Sequence, residues 1–210
     1  MESDFWVQRW REGRIGFHEG RPNALLDVHH AELGTARTVL VPLCGKSEDL
    51  AALAARGHQV VGVELVPDAA RAFFAEHGLE PQVVQSRDFE ILHAGSVRIL
   101  VGDFFALTSD LVAPLDALYD RAALVALPPA LRARYAQQVR ALLQPGATGL
   151  IITFDYPQAL RAGPPFSVPE AELEALYPGL ELRLIDERKS ALGGPDGPVP
   201  CLERCYRIRF

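Results

Sequence analysis

Thr38-Val39-Leu40-Val41-Pro42-Leu43-Cys44-Gly45-Lys46-Ser47-Glu48-Asp49-Leu50 decides the fold. Thr38 to Val41 is an apolar run without alternation, the pattern of a strand covered on both faces. A turn follows, and Ser47 offers an N-cap with Glu48 and Asp49 in the first helical turn, where the helix dipole favours acids. Leu50, Leu53 and Ala54 make the apolar stripe of that helix, and Gly57 closes it. The run Gln59 to Glu64 is the second strand. Strand, helix and strand at this spacing call for a parallel sheet.

The same alternation continues downstream. Pro67 and Asp68 open a helix that carries Phe73 and Phe74 and stops at His77-Gly78. Residues 80–93 are less regular and suggest an excursion with a short hairpin. Val97 to Val101 is a third strand and Ala117 to Tyr119 a fourth. Pro129 opens a helix with Leu131, Tyr135, Val139 and Leu142 on one face. Gly146 ends it, and Gly149 to Phe154 is a fifth strand. Ser167 and Glu170 have the spacing of a capping box for a short helix. The runs 180–188 and 201–208 are strand-like, and the linker Ser190 to Pro200 is too rich in glycine and proline for a crossover helix, so the two should pair antiparallel. Upstream, residues 4–12 and 23–33 read as two short helices around a glycine-punctuated loop, Gly13 to Gly20.

Composition bounds the function. With 210 residues, 49% hydrophobic and 23% charged, the chain can bury a real core and is not dominated by disorder. A net charge of −6 argues against nucleic acid as a partner. Cys44, Cys201 and Cys205 are an odd set, the last two too far apart along one extended segment to bridge, which points to free thiols and a reducing compartment. The amino terminus has no basic and apolar leader pattern. No apolar run approaches the ~20 residues of a membrane span. The expectation is a cytoplasmic protein.

In an open parallel sheet, ligands sit outside the carboxyl ends of the strands. The loop Pro42 to Ser47 is therefore the first candidate site. Its Gly45-Lys46-Ser47 ending suggests a phosphate loop, but the required glycine five residues before Gly45 is Leu40. One glycine also falls short of a nicotinamide fingerprint, although Gly45 lets the backbone approach a ligand. Glu64 ends the second strand nineteen residues after Gly45, the spacing at which an acid accepts both hydroxyls of an adenosine ribose. A solvated strand-end carboxylate is the alternative. After the third strand, Asp103 can meet an adenine amino group and an aromatic can pack on the ring. Core packing is the competing role there, more for Phe105 than for Phe104. Among the six histidines, His29 and His30 point about 100° apart on a helix and the others lack ligand spacing, so no metal site is expected. His18 suits loop hydrogen bonding or, less simply, proton acceptance in a pocket.

Six stretches carry a resemblance. They are Phe5-Trp6 through Trp10; Ile15-Gly16-Phe17-His18; Val41 to Ser47; Gly57-His58 through Glu64; Tyr119-Asp120-Arg121-Ala122-Ala123-Leu124-Val125-Ala126; and Gly163-Pro164-Pro165-Phe166-Ser167-Val168. In this order, across most of the chain, they resemble the thiopurine S-methyltransferase family of the bacterial type. The resemblance implies a single class I, Rossmann-like α/β domain over 1–210. Its core, 38–210, would be a seven-stranded, mostly parallel sheet with a C-terminal antiparallel hairpin, and residues 1–33 a helical lid. It implies S-adenosylmethionine as cofactor and aromatic or heterocyclic thiols such as 6-mercaptopurine as acceptors, with selenium or tellurium compounds handled by some relatives. Trp10, Leu43, Glu64 and Arg121 match the family's cofactor-contacting residues, Phe104 an adenine-side contact and Phe17 an aromatic over the acceptor. Arg121 is also the candidate for catalysis and acceptor binding.

Asp120-Arg121 stands where base-directed amino-methyltransferases carry an Asp/Asn-Pro-Pro-aromatic turn, a second argument against nucleic acid. A heteroaromatic thiol is largely ionised near neutrality, so the lack of a strong-base constellation fits sulfur methylation. The expected protein is a monomer acting on a small thiol, away from membranes. The alternatives are a nicotinamide-dependent oxidoreductase, disfavoured by the missing glycines, and an S-adenosylmethionine-binding sensor without catalysis.

Overall fold

The structure, a computed structural model, describes residues 3–15, 18–35, 37–112, 114–194 and 197–210. Two segments precede the sheet: helix α1 (Ser3–Arg11) and helix α2 (Ala24–His29), the latter extended by a 3-10 turn, His30–Leu33. Strand β1 (Thr38–Pro42), helix α3 (Glu48–Ala55), strand β2 (Gln59–Glu64) and helix α4 (Pro67–Glu76) follow. Ser47 caps α3 as expected, its side chain accepting the Asp49 amide, and Gly57 just past the helix takes a positive φ of 86°. Strands β3 (Gln82–Ser86), β4 (Phe89–Ala94), β5 (Val97–Val101) and β6 (Leu115–Arg121) come next. Helix α5 (Pro129–Leu142), strand β7 (Leu143–Asp155), helix α6 (Glu170–Leu176) and strands β8 (Glu181–Gly194) and β9 (Gly197–Arg209) complete the chain.

One sheet runs β3-β4-β5-β2-β1-β6-β7-β9-β8. The five central strands, from β5 to β7, are parallel, and β9 and β8 close the far side antiparallel. Among the described residues the sheet has nine strands rather than seven, because the irregular stretch before Val97 folds as a β3–β4 hairpin and adds to the free edge of β5. β4 buries Phe89 and Leu92, while β3 is the open edge and exposes Val83 and Val84.

Side-chain alternation along the strands feeds two cores. Leu40, Val61, Leu118 and Ile151 pack with Tyr135 and Val139 of α5 on one face. Val39, Val41, Val60 and Ala117 pack on the other face with Leu53 of α3, Phe73 and Phe74 of α4, and Leu25, Leu26 and Leu33. Residues 24–33, counted with the lid on sequence grounds, are thus core. A helix whose apolar side seats this fully cannot lift without opening the domain.

Three further expectations change. Gly146 does not end α5. The helix stops at Leu142, β7 starts at once, and Gly146 turns at φ 83° within the strand, its amide donating to the Phe210 carbonyl at 2.7 Å. Ser167 and Glu170 form no capping box, because the Val168 amide ties this stretch to Phe154 at 2.8 Å and turns Ser167 inward. Ser167 instead accepts the Tyr156 amide at 3.1 Å, and α6 begins after Pro169 without a side-chain cap. The Ser190 to Pro200 linker is not loose either. β8 and β9 stay paired out to Gly194 and Gly197, and β7 leaves β9 at Leu202, so Pro198 and Pro200 sit where one side of the strand needs no donor.

Candidate active site

The carboxyl ends of β5, β2, β1 and β6 lie side by side, in that order, at about 4.8 Å per strand. A cavity of about 530 Å³ opens along this edge. Leu43, Gly45, Glu64, Phe104 and Arg121 all line it, and Trp10 reaches it from α1. Every candidate residue within the described chain is therefore in one place. Phe17 and its neighbour Gly16 lie outside the described residues.

The β1 turn is built for close approach. Leu43 and Gly45 hold φ values of 47° and 55°, the left-handed region, so the backbone doubles back tightly. The Gly45 amide then donates to Glu64 Oε2 at 2.7 Å, and the Val66 amide to Oε1 at 2.8 Å. Burial pushes the Glu64 carboxyl above its ordinary range, and the Val66 and Gly45 amides pull the other way. The two oxygens offer about four acceptor sites, so a lone pair remains for a further donor. Gly62 of β2 is required by the same turn. A Cβ there would come within 2.7 Å of the Cys44 sulfur. Burial and the Glu64 charge raise the Cys44 thiol well above its ordinary value, which makes it a packing group and no nucleophile.

After β5, the Asp103 carboxylate accepts the Phe105 amide at 2.9 Å and starts a 3-10 turn. The two phenylalanines differ from expectation. Phe104 is the core-packed one, its ring centroid 5.2 Å from that of Tyr135, and it forms part of the cavity wall. Phe105 is half-buried at the cavity with the Arg134 guanidinium 4.2 Å over its ring.

At the β6 end, Tyr119 and Arg121 share a face and Asp120 points to the other. Asp120 is fully buried, accepts the Leu124 amide at 3.0 Å and the Tyr135 hydroxyl at 2.8 Å, and burial pushes its carboxyl up to about 6. It holds the turn that presents Arg121. Arg121 pairs with Glu19 of the loop before α2, and Glu19 also accepts the Asn23 side-chain amide at 3.3 Å.

Asp49 and Tyr119 were not singled out from the sequence as site residues. Asp49 lines the cavity, and burial raises its carboxyl above the ordinary range. Its oxygens accept the Asn23 amide at 2.7 Å and the Tyr119 hydroxyl at 3.0 Å. These contacts span 26 and 70 residues, so only the fold brings them together.

His18 lines the cavity near Trp6 and Trp10, and its amide donates to the Ile15 carbonyl at 2.8 Å. Along the chain His18 has no ligand spacing, yet its ring falls within 4.8 Å of carboxylate oxygens of Glu48 and Glu76. Lys46 Nζ already meets Glu76 at 2.5 Å, and the His77 ring meets Glu48 at 3.1 Å.

A parallel sheet with an acid at the end of β2, a left-handed turn after β1 and aromatics after β5 suits an adenosine, and the architecture is that of S-adenosylmethionine-dependent methyltransferases. A Burkholderia thailandensis 1,6-didemethyltoxoflavin-N1-methyltransferase, with 1,6-didemethyltoxoflavin and S-adenosylhomocysteine bound, shares the fold. The TM-score is 0.65 at 20% identity, over 98% of this chain and 86% of that one. A Methanosarcina mazei methyltransferase gives 0.61 at 19% identity, over 86% and 96%. A sequence model of thiopurine S-methyltransferases matches residues 1–197. The chain is 46% identical to the thiopurine S-methyltransferase of Pseudomonas putida over 214 residues, covering 99% of each. It is 51% identical over 179 residues to that of Xanthomonas campestris, covering 84% of this chain and 82% of that one. The chain belongs to the thiopurine S-methyltransferase family and is an S-adenosylmethionine-dependent enzyme.

Proposed function

We propose that this enzyme methylates the sulfur of small aromatic or heterocyclic thiols, thiopurines among them, in the cavity at the strand ends. The observation that carries the reading is the order of groups along that edge. Aromatics and Asp103 stand at β5, Glu64 at β2, the Leu43–Gly45 turn at β1 and Arg121 at β6. These groups fit S-adenosylmethionine. Phe104 and Phe105 take the adenine, Glu64 accepts the ribose hydroxyls, and the turn lets the backbone follow the chain toward its sulfur. When bound, S-adenosylmethionine supplies an electrophilic methyl group on a sulfonium. Arg121 holds the anionic acceptor sulfur in line with that methyl. Opposite charges vanish together in this step, so a dry cavity favours it, and alignment alone is worth about 7–11 kcal/mol.

Residues before Asn23 act as a lid, with Trp6 and Trp10 over the bound groups and Glu19 docking the segment on Arg121, and Phe17 is the residue of this segment taken to contact the acceptor. None of the lid's described residues belongs to the sheet. The enzyme works as a monomer in the cytoplasm, on a small molecule and without nucleic acid. The free, buried cysteines and the net charge of −6 support this, and no helix of the described residues is long and apolar enough to cross a membrane. The test is transfer of labelled methyl from S-adenosylmethionine to 6-mercaptopurine. Methylated sulfur in the product is expected. No transfer to any aromatic thiol, or tight binding of NADH in the same cavity, overturns the reading.

A further inference from the structure

Among the described residues, three carboxylates line the cavity: Asp103, Glu64 and Asp49. Asp103 is engaged by the Phe105 amide beyond β5, and Glu64 ends β2, so both stand at the half of the cavity assigned to adenosine. Asp49 belongs to the other half. Its Oδ2 accepts the hydroxyl of Tyr119 on β6, two strands from β2. The backbone of β6 lies about 10 Å along the edge from that of β2, a span comparable with the reach from a ribose to the amino-acid end of S-adenosylmethionine.

The surroundings of Asp49 define what it seeks. Asp49 is 2% exposed, and the hydrogen bonds its carboxylate accepts come from neutral donors, the Asn23 amide and the Tyr119 hydroxyl. Arg121 acts on it only as a nearby charge and is itself paired with Glu19. A buried carboxylate requires a partner of opposite charge, or a cost remains. Here the carboxylate borders a cavity, and four acceptor sites on two oxygens leave room for another donor. The amino-acid end of S-adenosylmethionine carries an ammonium, a compact cation with three donors.

We infer that Asp49 is the seat of that α-ammonium group, binding it by a charge-assisted hydrogen bond across the cavity floor. The assignment rests on reading the cavity as the S-adenosylmethionine site. It gives the Asn23 amide a second task, since the bond that fixes Asp49 comes from the residue that also caps α2 with its side chain. Ligand binding and the root of the lid thereby share one carboxylate.

The test is calorimetric and needs no turnover. Wild-type enzyme and Asp49→Asn are each titrated with S-adenosylhomocysteine and with its analogue lacking the α-amino group. Wild type should bind the desamino analogue about 10- to 100-fold more weakly. Asp49→Asn should bind both ligands alike, close to the wild-type affinity for the desamino analogue. A variant that weakens both ligands by the same factor makes Asp49 merely structural and overturns the inference. So does a wild type that binds the two ligands equally. Should Asp49→Asn not fold, Asp49→Ser keeps one acceptor for the Asn23 amide and takes the same two ligands. Failure of wild type to bind either ligand, or 5′-methylthioadenosine, would instead remove the cofactor reading itself.

Discussion

Glu64→Gln keeps the shape of the cavity wall and removes one charge. In the native turn each carboxylate oxygen accepts one amide, from Gly45 at 2.7 Å and Val66 at 2.8 Å. A glutamine can accept only one of them, and its NH₂ must then face the other N–H. Leaving one buried amide unmatched costs about 1–3 kcal/mol. For a domain of this size each kcal/mol is worth about 2–4 °C, so Tm should fall by about 2–12 °C with the fold intact. The second effect is on the ligand. A ribose hydroxyl bonded to a carboxylate contributes about 1.5–3 kcal/mol, so S-adenosylhomocysteine affinity should drop about 10- to 150-fold. Calorimetry at a temperature well below the variant's Tm separates the two effects. A folded variant with the wild-type dissociation constant would take Glu64 out of the ribose site and undo the reasoning from the strand edge.

Arg121→Lys keeps the positive charge but loses the planar fork, so methylation of 6-mercaptopurine should fall sharply while thermal unfolding changes little; an unchanged rate assigns Arg121 a structural role. Both tryptophans of the chain, Trp6 and Trp10, line the cavity, so their fluorescence should change on adding S-adenosylhomocysteine, and no change refutes a lid over the ligand. Deleting residues 1–22 spares Leu25, Leu26 and Leu33 in the core and should leave a folded domain with negligible methyl transfer; full activity or an unfolded product would each defeat the lid. Asp120 has a raised folded value of about 6, so its contribution to stability is present below the ordinary carboxylate range and is lost as pH rises through about 6. The span is roughly 3 kcal/mol, and Asp120→Asn should flatten that part of the stability profile; an unaltered profile means that Asp120 does not titrate there.

The β1 turn and Glu64 were legible because their signals are local. An apolar run, a capping serine and an acid nineteen residues past a glycine are all readable along the chain. The β3–β4 hairpin left only a faint trace, since β3 exposes most of its residues and so lacks the apolar pattern of a buried strand. The assignment of Phe104 and Phe105 turned on which of the two the 3-10 turn aims into the core, which adjacent identical residues do not encode. Asp49 looked like a helix-dipole residue because its partners, Asn23 and Tyr119, lie on other elements. Ser167 had the spacing of a cap but was drawn inward by the Tyr156 amide. Tertiary hydrogen bonds overrode local preference in both cases.

The open edge at β3 governs how copies of the molecule behave in concentrated solution. Gln82-Val83-Val84-Gln85-Ser86 carries no charge, and its two valines, on opposite faces, are 54% and 57% exposed. An uncharged edge with unpaired backbone groups is a template for strand addition. Mutual repulsion from the net charge of −6 at pH 7 opposes such contacts. Acidification toward the isoelectric point near 5.5 discharges carboxylates and weakens that repulsion while the edge stays as it is. Precipitation on lowering the pH should therefore begin with β3 pairing to β3, and a lysine in place of Val84 should delay its onset.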